Sequence, residues 1–487
     1  MLNYSTGGTS SSGILAGLPR YLEEDTMHLS NGQIYYWYWY DYSIEPLSLT
    51  NGNHITYSEV IEKEMDGSYS IFKYSNHDQS QYRDRNAIAG TYPIYGQWKL
   101  SPCIDMSLER GKLLEKDIYN ANNILVQKIN YVYDEGTERE VEAVKVVSLN
   151  SRGFQLGVDT ENNPLLYIDN RTTAYLRFTF PQFLLKEIQT TYNQSGQNPL
   201  VDTVIYTYNR SFRTVTSKSI QRSTGDAYKS FYKYPFDYTI SGTATHDVAK
   251  GILNLQNKYI FAQAVEQYDQ ITHAGVNKTI KGVFTTFKPA SPLPDSIFIL
   301  GSNTGISDFI PATISANTVT KNANYFLASV YKKYDEYGNA GEVQKANVAS
   351  VVYLWGYKSL YPVAEITGSD YNTVNAVVSQ AQLDTTTDQQ QLHTLLNTLR
   401  TDNRTKTAII KTFTYKPLVG MTSETTPAGK ITYYEYDEFG RLKNIKDENG
   451  NIIKTICYNY AGQQVDCGTI SVTYYNTVKS QSFTRNS

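Results

Sequence analysis

The chain has 487 residues, long enough for about three or four ordinary domains, and carries 43 tyrosines against 17 phenylalanines. Charged residues make up 19 % with a formal net charge of −3 and a pI near 6.1, so no basic field exists to hold a phosphate backbone and nucleic acid is excluded as a partner. Mean hydropathy is −0.44, and apolar runs such as Ile297 to Leu300 stop far short of the roughly eighteen residues a membrane-spanning helix needs.

The tyrosine excess points to extended strands with half-wet faces, because the ring covers apolar surface while the hydroxyl stays at a polar rim. Residues 1–29, opening on MLNYSTGGTSSSG, have neither the basic start nor the apolar stretch of a secretion signal and are expected to be irregular and flexible. Residues 30–160 read as a β-hairpin region. Within it Tyr35-Tyr36-Trp37-Tyr38-Trp39-Tyr40 reads as one strand, with Tyr35, Trp37 and Trp39 on one face and Tyr36, Tyr38 and Tyr40 on the other. Such a strand either lines a covered wall or offers flat rings to a sugar, and the number of tyrosines along the whole chain favours the wall. The arms TYSEVIEKE and SYSIFKYS around Asp66-Gly67 form a hairpin, and Asn31-Gly32, Asn51-Gly52, Glu135-Gly136 and Gly225-Asp226 mark further turns. Residues 161–365 continue as strands.

From Asn372 to Thr412 no aromatic residue occurs, where a chain at 13 % aromatic should show about five. Val374, Val377, Val378 and Ala381 follow helical spacing, and so do Leu392, Leu395, Leu396 and Leu399. The spacing predicts helices over 373–382 and 388–400, with Thr387 and Gln390 as a capping box for the second, in a helical hairpin that occupies 366–403. Residues 404–467 read as a meander and 468–487 as the opening of a further module.

A short self-similarity is the sharpest signal. Tyr334-Asp335-Glu336-Tyr337-Gly338 recurs as Tyr436-Asp437-Glu438-Phe439-Gly440, the second copy running into Arg441-Leu442. Asp opening a type I turn accepts bonds from the backbone ahead of it, and Gly supplies the left-handed residue that closes a bulged hairpin. Asp447 to Gly450 repeats the turn ten residues on, so 430–460 should be three sequential antiparallel strands. At these residues the sequence resembles the YD-repeat, or RHS-repeat, family of bacterial surface proteins, most closely over Gly429-Lys-Ile-Thr-Tyr-Tyr-Glu-Tyr-Asp-Glu-Phe-Gly-Arg-Leu442. Tyr131-Val-Tyr-Asp134 and Tyr206-Thr-Tyr-Asn209 are weaker echoes. The resemblance implies an all-β fold, an antiparallel β-hairpin repeat sheet or shell with the small helical hairpin inserted, that encloses or presents a linked domain. It also implies a secreted or cell-surface location. The family's self-cleaving Asp-Pro-x-Gly-Leu stretch is absent, so self-cleavage and a toxin tip are not expected, and the chain reads as a fragment of a longer protein.

Chemistry is sparse. The carboxylates Asp335, Glu336, Glu435, Asp437 and Glu438 sit in or beside turns, where capping accounts for them. The six histidines include no ligand pair, Asp447-Glu-Asn-Gly-Asn451 lacks the calcium-loop order, and neither a nucleophile elbow nor a phosphate loop is present. No catalytic residue, cofactor or metal site is expected. Cys457 and Cys467 are spaced to pair or to remain as thiols. The sequence therefore reads as a non-catalytic scaffold whose partner is its own missing C-terminal domain or a surface glycan. A carbohydrate-binding or adhesive module is the second reading and a β-rich hydrolase the third.

Overall fold

The computed structural model describes residues 55–84, 104–134, 176–386 and 388–458 with their side chains, adds 12–14 and 140–141, and gives the backbone of several further strands before residue 176. The chain divides into two compact units, one of Met1–Tyr238, Ile260–Val283 and Leu300–Ala312, the other of Thr239–Tyr259, Phe284–Ile299 and Thr313–Ser487.

Unit one is an antiparallel sheet. In it Leu2–Asn3, Glu59–Lys63, Tyr69–Tyr74, Leu113–Tyr119, Leu125–Tyr133, Leu184–Thr191, Leu200–Asn209, Thr214–Gln221, Ala227–Lys233 and Glu266–His273 each pair with the next. Most of its residues are half-buried on both faces, the state the tyrosine content implies. The hairpin expected at Asp66-Gly67 is present. The stretch before residue 30, expected to be irregular, contains the strands Leu2–Asn3, Gly13–Leu15 and Leu22–Leu29. The last of these pairs antiparallel with the aromatic strand Gly32–Trp39.

Unit two repeats the pattern. Tyr325–Tyr334, Ala340–Lys345, Val351–Gly356, Tyr361–Thr367, Ile409–Lys416, Gly420–Thr425, Ile431–Tyr436, Leu442–Lys446 and Ile452–Thr455 form consecutive antiparallel pairs. The last three are the meander expected over 430–460.

One five-residue turn recurs in the hairpins of both units. Its first N–H donates to the fifth carbonyl at 2.8–3.0 Å, and its fourth N–H donates back to the first carbonyl at 2.9–3.2 Å. Among the described residues it occurs at 64–68, 120–124, 193–197 and 222–226 in unit one and at 335–339, 426–430, 437–441 and 447–451 in unit two. The fourth residue always has φ between +60° and +91°, and it is glycine in every copy but one, where Asn123 stands. Where Asp or Asn comes first, its side chain adds two bonds. Asp437 accepts from the N–H of Phe439 and of Arg441, both at 2.9 Å, while Asp335 and Asp447 do the same in their turns. Asn120 and Asn193 complete the set.

Helices leave the sheet of unit two between Tyr361–Thr367 and Ile409–Lys416: α1 is Asp247–Asn257 elsewhere in that unit, α2 is Tyr371–Asn375, α3 is Gln380–Thr385 and α4 is Gln389–Thr401. The single helix expected over 373–382 is two. Ser379 takes an extended backbone and builds a capping box with Gln382, so the run is cut after Val378 and restarts. Helix α4 matches its expected span, but Asp388 caps it through Gln391 in place of the Thr387–Gln390 box. Val374, Val378, Leu383, Leu392, Leu396 and Leu399 are buried with Val352, Leu354, Val363 and Ile366 of the sheet in one core. Helix α1 was not anticipated. It buries Ala249, Gly251, Ile252 and Leu255, and a Cβ at Gly251 would come within 2.3 Å of the Phe287 carbonyl, so only glycine lets this helix lie on that strand.

At Gly450 the left-handed demand can be tested alone, because φ is +83° and an added Cβ would meet nothing within 4 Å. Gly450→Ala should lower the stability of the chain by about 1 kcal/mol in denaturant titration. Gly450→Asn should lower it by clearly less, since Asn123 fills the same position natively. Equal losses from the two changes would show that something other than backbone conformation sets the cost.

Candidate functional site

The repeated Tyr-Asp dipeptide owes its form to two adjacent tasks. In each unit a tyrosine at the end of a returning strand donates its hydroxyl to the carbonyl of a residue at the start of the preceding strand, closing the open end of the hairpin. Tyr133 reaches Leu113 at 3.0 Å, Tyr208 reaches Leu184 at 2.8 Å and Tyr234 reaches Val215 at 2.8 Å. In unit two Tyr334 reaches Pro294 at 2.7 Å, Tyr436 reaches Met421 at 2.8 Å and Tyr458 reaches Leu442 at 3.1 Å. Asp134, Asn209, Asp335 and Asp437 then follow immediately, and the last two open the next five-residue turn. Burial pushes Tyr133, Tyr208, Tyr234, Tyr334 and Tyr436 above the ordinary phenol value, which keeps each a donor. Gly420 is part of the same device, because a Cβ there would lie 2.3 Å from the Tyr436 hydroxyl oxygen.

The residues singled out in the sequence fall into this framework. Tyr334, Asp335, Gly338, Tyr436, Asp437, Gly440, Arg441, Asp447 and Gly450 all serve turns or closures. Arg441 pairs with Asp437 at 2.7 Å across its own turn and stacks its guanidinium over Tyr458 at 4.4 Å. Glu435 pairs with Lys446 and accepts from Asn444 at 3.1 Å, so it is a cross-strand partner. The aromatic run is a strand through Trp39, with Tyr35 opposite Thr26 and Trp37 opposite Glu24. Tyr40 and the ring positions of the run lie outside the described residues. So do the turns at Asn51-Gly52 and Glu135-Gly136, and residues 468–487.

Unit one holds a charge cluster that sequence reading missed. Lys73 and Lys128 each approach Glu115 at 2.6 Å, and Asp117 lies 3.8 and 3.4 Å from the same two ammonium groups. Burial opposes the charge on Glu115, but the hydrogen bonds and charges of Lys128 and Lys73 outweigh it and hold the carboxyl down to about 2. Burial and the neighbouring Glu115 push Asp117 up. Period-two alternation places Lys73, Glu115, Asp117 and Lys128 on one sheet face, yet only the register brings three strands' charges together.

In unit two the first Tyr-Asp turn borders a shallow hollow of about 230 Å³ lined by Lys333, Tyr334, Asp335, Glu336, Ser359, Tyr371 and Gln380. Beside it three successive residues, Tyr357, Lys358 and Ser359, take left-handed φ values of 54°, 58° and 61°. None of them is glycine. Backbone strain of this kind persists only where surrounding bonds hold it.

No family model matches the chain, and no curated protein matches it. Solved structures do: the crystal structure of TcdB2-TccC3-Cdc42 at 8 % identity and TM-score 0.36, and that of TcdB2-TccC3 without its hypervariable C-terminal region at 8 % and 0.37. A Photorhabdus luminescens Tc holotoxin pore follows at 7 % and 0.37. The alignments cover 80–81 % of this chain, and the chain spans about a fifth of those proteins' length, 20–21 %. Likeness at this level identifies no family for the chain.

Two outcomes follow from the geometry. Tyr436→Phe should lower stability by about 0.5–1.5 kcal/mol, the net worth of one hydrogen bond, with the far-ultraviolet spectrum unchanged. For Glu115, whose folded value lies below its unfolded one, the stabilisation is complete above about 4.5 and is lost as pH falls toward about 2. Asp117 has the opposite sign and offsets part of that loss. The slope of stability against pH between those limits should therefore flatten in Glu115→Gln, and an unchanged slope would remove the cluster from the acid response.

Proposed function

We propose that this chain is a non-catalytic β-repeat scaffold, secreted or at the cell surface, that encloses or presents a linked domain. The observation that carries the reading is where the repeat's polar groups go. Asp335, Asp437 and Asp447 are spent on turn N–H groups, and the tyrosine hydroxyls on strand-end carbonyls. A sheet built from such hairpins extends by adding copies, and its chemistry is used up in holding shape. Cys457 is disulfide-bonded, with its partner outside the described residues. Disulfides persist in oxidising compartments, which supports the exported location.

The adhesive reading draws on one rim of unit two. Successive antiparallel strands place the turns 335–339, 357–360, 417–419 and 437–441 along the same edge, and each carries one large apolar residue, Tyr337, Leu360, Leu418 and Phe439, at 65–98 % exposure. Exposed charge accompanies each of them, from Glu336, Lys358, Lys416 and Glu438 in turn.

A folded reporter domain joined after residue 487 tests the scaffold directly. Enclosure should protect the reporter from a protease that digests it when free, whereas presentation should leave it active and cleavable at the junction. The chain alone should hydrolyse no glycoside, ester or peptide substrate. Activity abolished by one carboxylate substitution, with the fold intact, would overturn the assignment in favour of a hydrolase.

A further inference from the structure

The hollow in unit two is lined by polar residues on several sides. Ser359 is only 6 % exposed, and its hydroxyl finds no hydrogen-bond partner among the described residues. Leaving a buried hydroxyl unsatisfied costs about 1–3 kcal/mol, and the left-handed run that carries it adds strain. The arrangement is nonetheless held firmly. Asn339 donates to the Ser359 carbonyl at 2.9 Å and is itself fixed by Asp335, while the first Tyr-Asp turn locks Asp335 in place.

The opposite wall is equally constrained. A Cβ at Gly341 would lie 3.1 and 3.2 Å from two carbons of the Tyr371 ring, so the missing side chain is what lets that ring settle against the strand. Buried Glu342 accepts from the Tyr371 N–H at 3.0 Å and pairs with Lys332 at 3.2 Å, fixing the start of α2. Gln380 commits its amide nitrogen to the Trp355 carbonyl at 2.7 Å and to Asp384 at 2.9 Å, which leaves its amide oxygen as an acceptor. Lys333 holds its ammonium 5.7 Å from the Tyr371 ring centre and forms no ion pair among the described residues.

We propose that this hollow binds one hexose-sized polyol, a sugar ring or its like. Donors and acceptors are mixed among its lining residues: Lys333 and Tyr371 carry donors, and Gln380 and Glu336 carry acceptors. A ring of neighbouring hydroxyls, each able to give and to take a hydrogen bond, matches that mixture. A phosphate does not, because the carboxylates of Asp335 and Glu336 outnumber the one ammonium. The space of about 230 Å³ has room for one such ring. Prior fixing of the walls reduces what binding must order, and the strain at residues 357–359 persists because the site is built in advance. This site neither requires nor excludes the scaffold reading, which the reporter experiment tests separately.

Saturation-transfer NMR on the full chain decides the matter, with methyl glucoside, methyl galactoside, N-acetylglucosamine and myo-inositol as probes and inorganic phosphate as competitor. At least one polyol should bind saturably, and phosphate should not displace it. Lys333→Met, which removes an exposed charge with no ion-pair partner, and Tyr371→Phe, which keeps the ring, should each weaken binding by about five-fold or more with the melting temperature unchanged. Ser359→Ala should raise stability, because it removes an unsatisfied group, and should leave binding unchanged, because that hydroxyl is buried beneath the wall. Absence of transfer to every polyol at tens of millimolar overturns the proposal. Binding that survives both the Lys333 and Tyr371 changes, or that phosphate competes away, overturns it as well.

Discussion

A hairpin that reverses the chain in five residues must still satisfy every N–H and carbonyl at the reversal, and this requirement recurs in both units. The solution used here has two backbone bonds and one left-handed residue. It leaves the first position free, so Glu64, Arg222 and Thr426 open turns as well as Asp or Asn does. Because the turn's own right-handed twist suits the flanking strands, copies can follow one another without a crossover, and each new strand lands beside the last. Sequential antiparallel pairing at these eight described hairpins follows from this local rule.

The closed turn leaves the other end of the hairpin open, where strand-end carbonyls would face poor solvent contact beneath neighbouring rings. Tyrosine resolves this where phenylalanine could not. Its ring covers the strand and its hydroxyl reaches the carbonyl that the ladder has left over, as Tyr208 does at Leu184 and Tyr436 at Met421. A structural job repeated at successive hairpins accounts for a tyrosine count that a single binding site would not require. The helices of unit two solve a different problem. Strands 351–356 and 361–367 bury Val352, Leu354, Val363 and Ile366 on one face, and α2 to α4 cover that face with the Val and Leu stripes.

Two turn copies were legible because Asp, Gly and the preceding Tyr coincide at 334–338 and 436–440, and the meander could be read from Gly440 and Gly450. Asp66-Gly67, Gly225-Asp226 and Asp447 to Gly450 marked three more as turns, and the copies at 120–124, 193–197 and 426–430 were hidden, since backbone bonds impose no side chain at the first position and Asn123 replaces the usual glycine. Leucine periodicity exposed α4. The break before α3 was readable in principle from Ser379-x-x-Gln382, but the unbroken Val374, Val378, Ala381 spacing masked it. Helix α1 presents only Ala249, Ile252 and Leu255 over three turns, too brief a stripe to stand out among strands. The hollow left no mark at all: its walls are Gly341, which looks like any strand glycine, and three left-handed residues of ordinary type.

That last contrast says where function can reside in a repeat of this kind. Turns that obey the rule put a glycine or asparagine at the left-handed position and carry little strain. Residues 357–359 break the rule three times over, and nearby polar groups are left with hydrogen-bonding capacity that the sheet never uses. Elsewhere in the repeat, Asp and Tyr are consumed by neighbours, which leaves a regular wall. A departure from the repeat that costs stability and is held by several independent bonds asks for a compensating contact. A ligand in the adjoining hollow supplies one, because its contacts with the walls that this turn helps to fix would offset the strain.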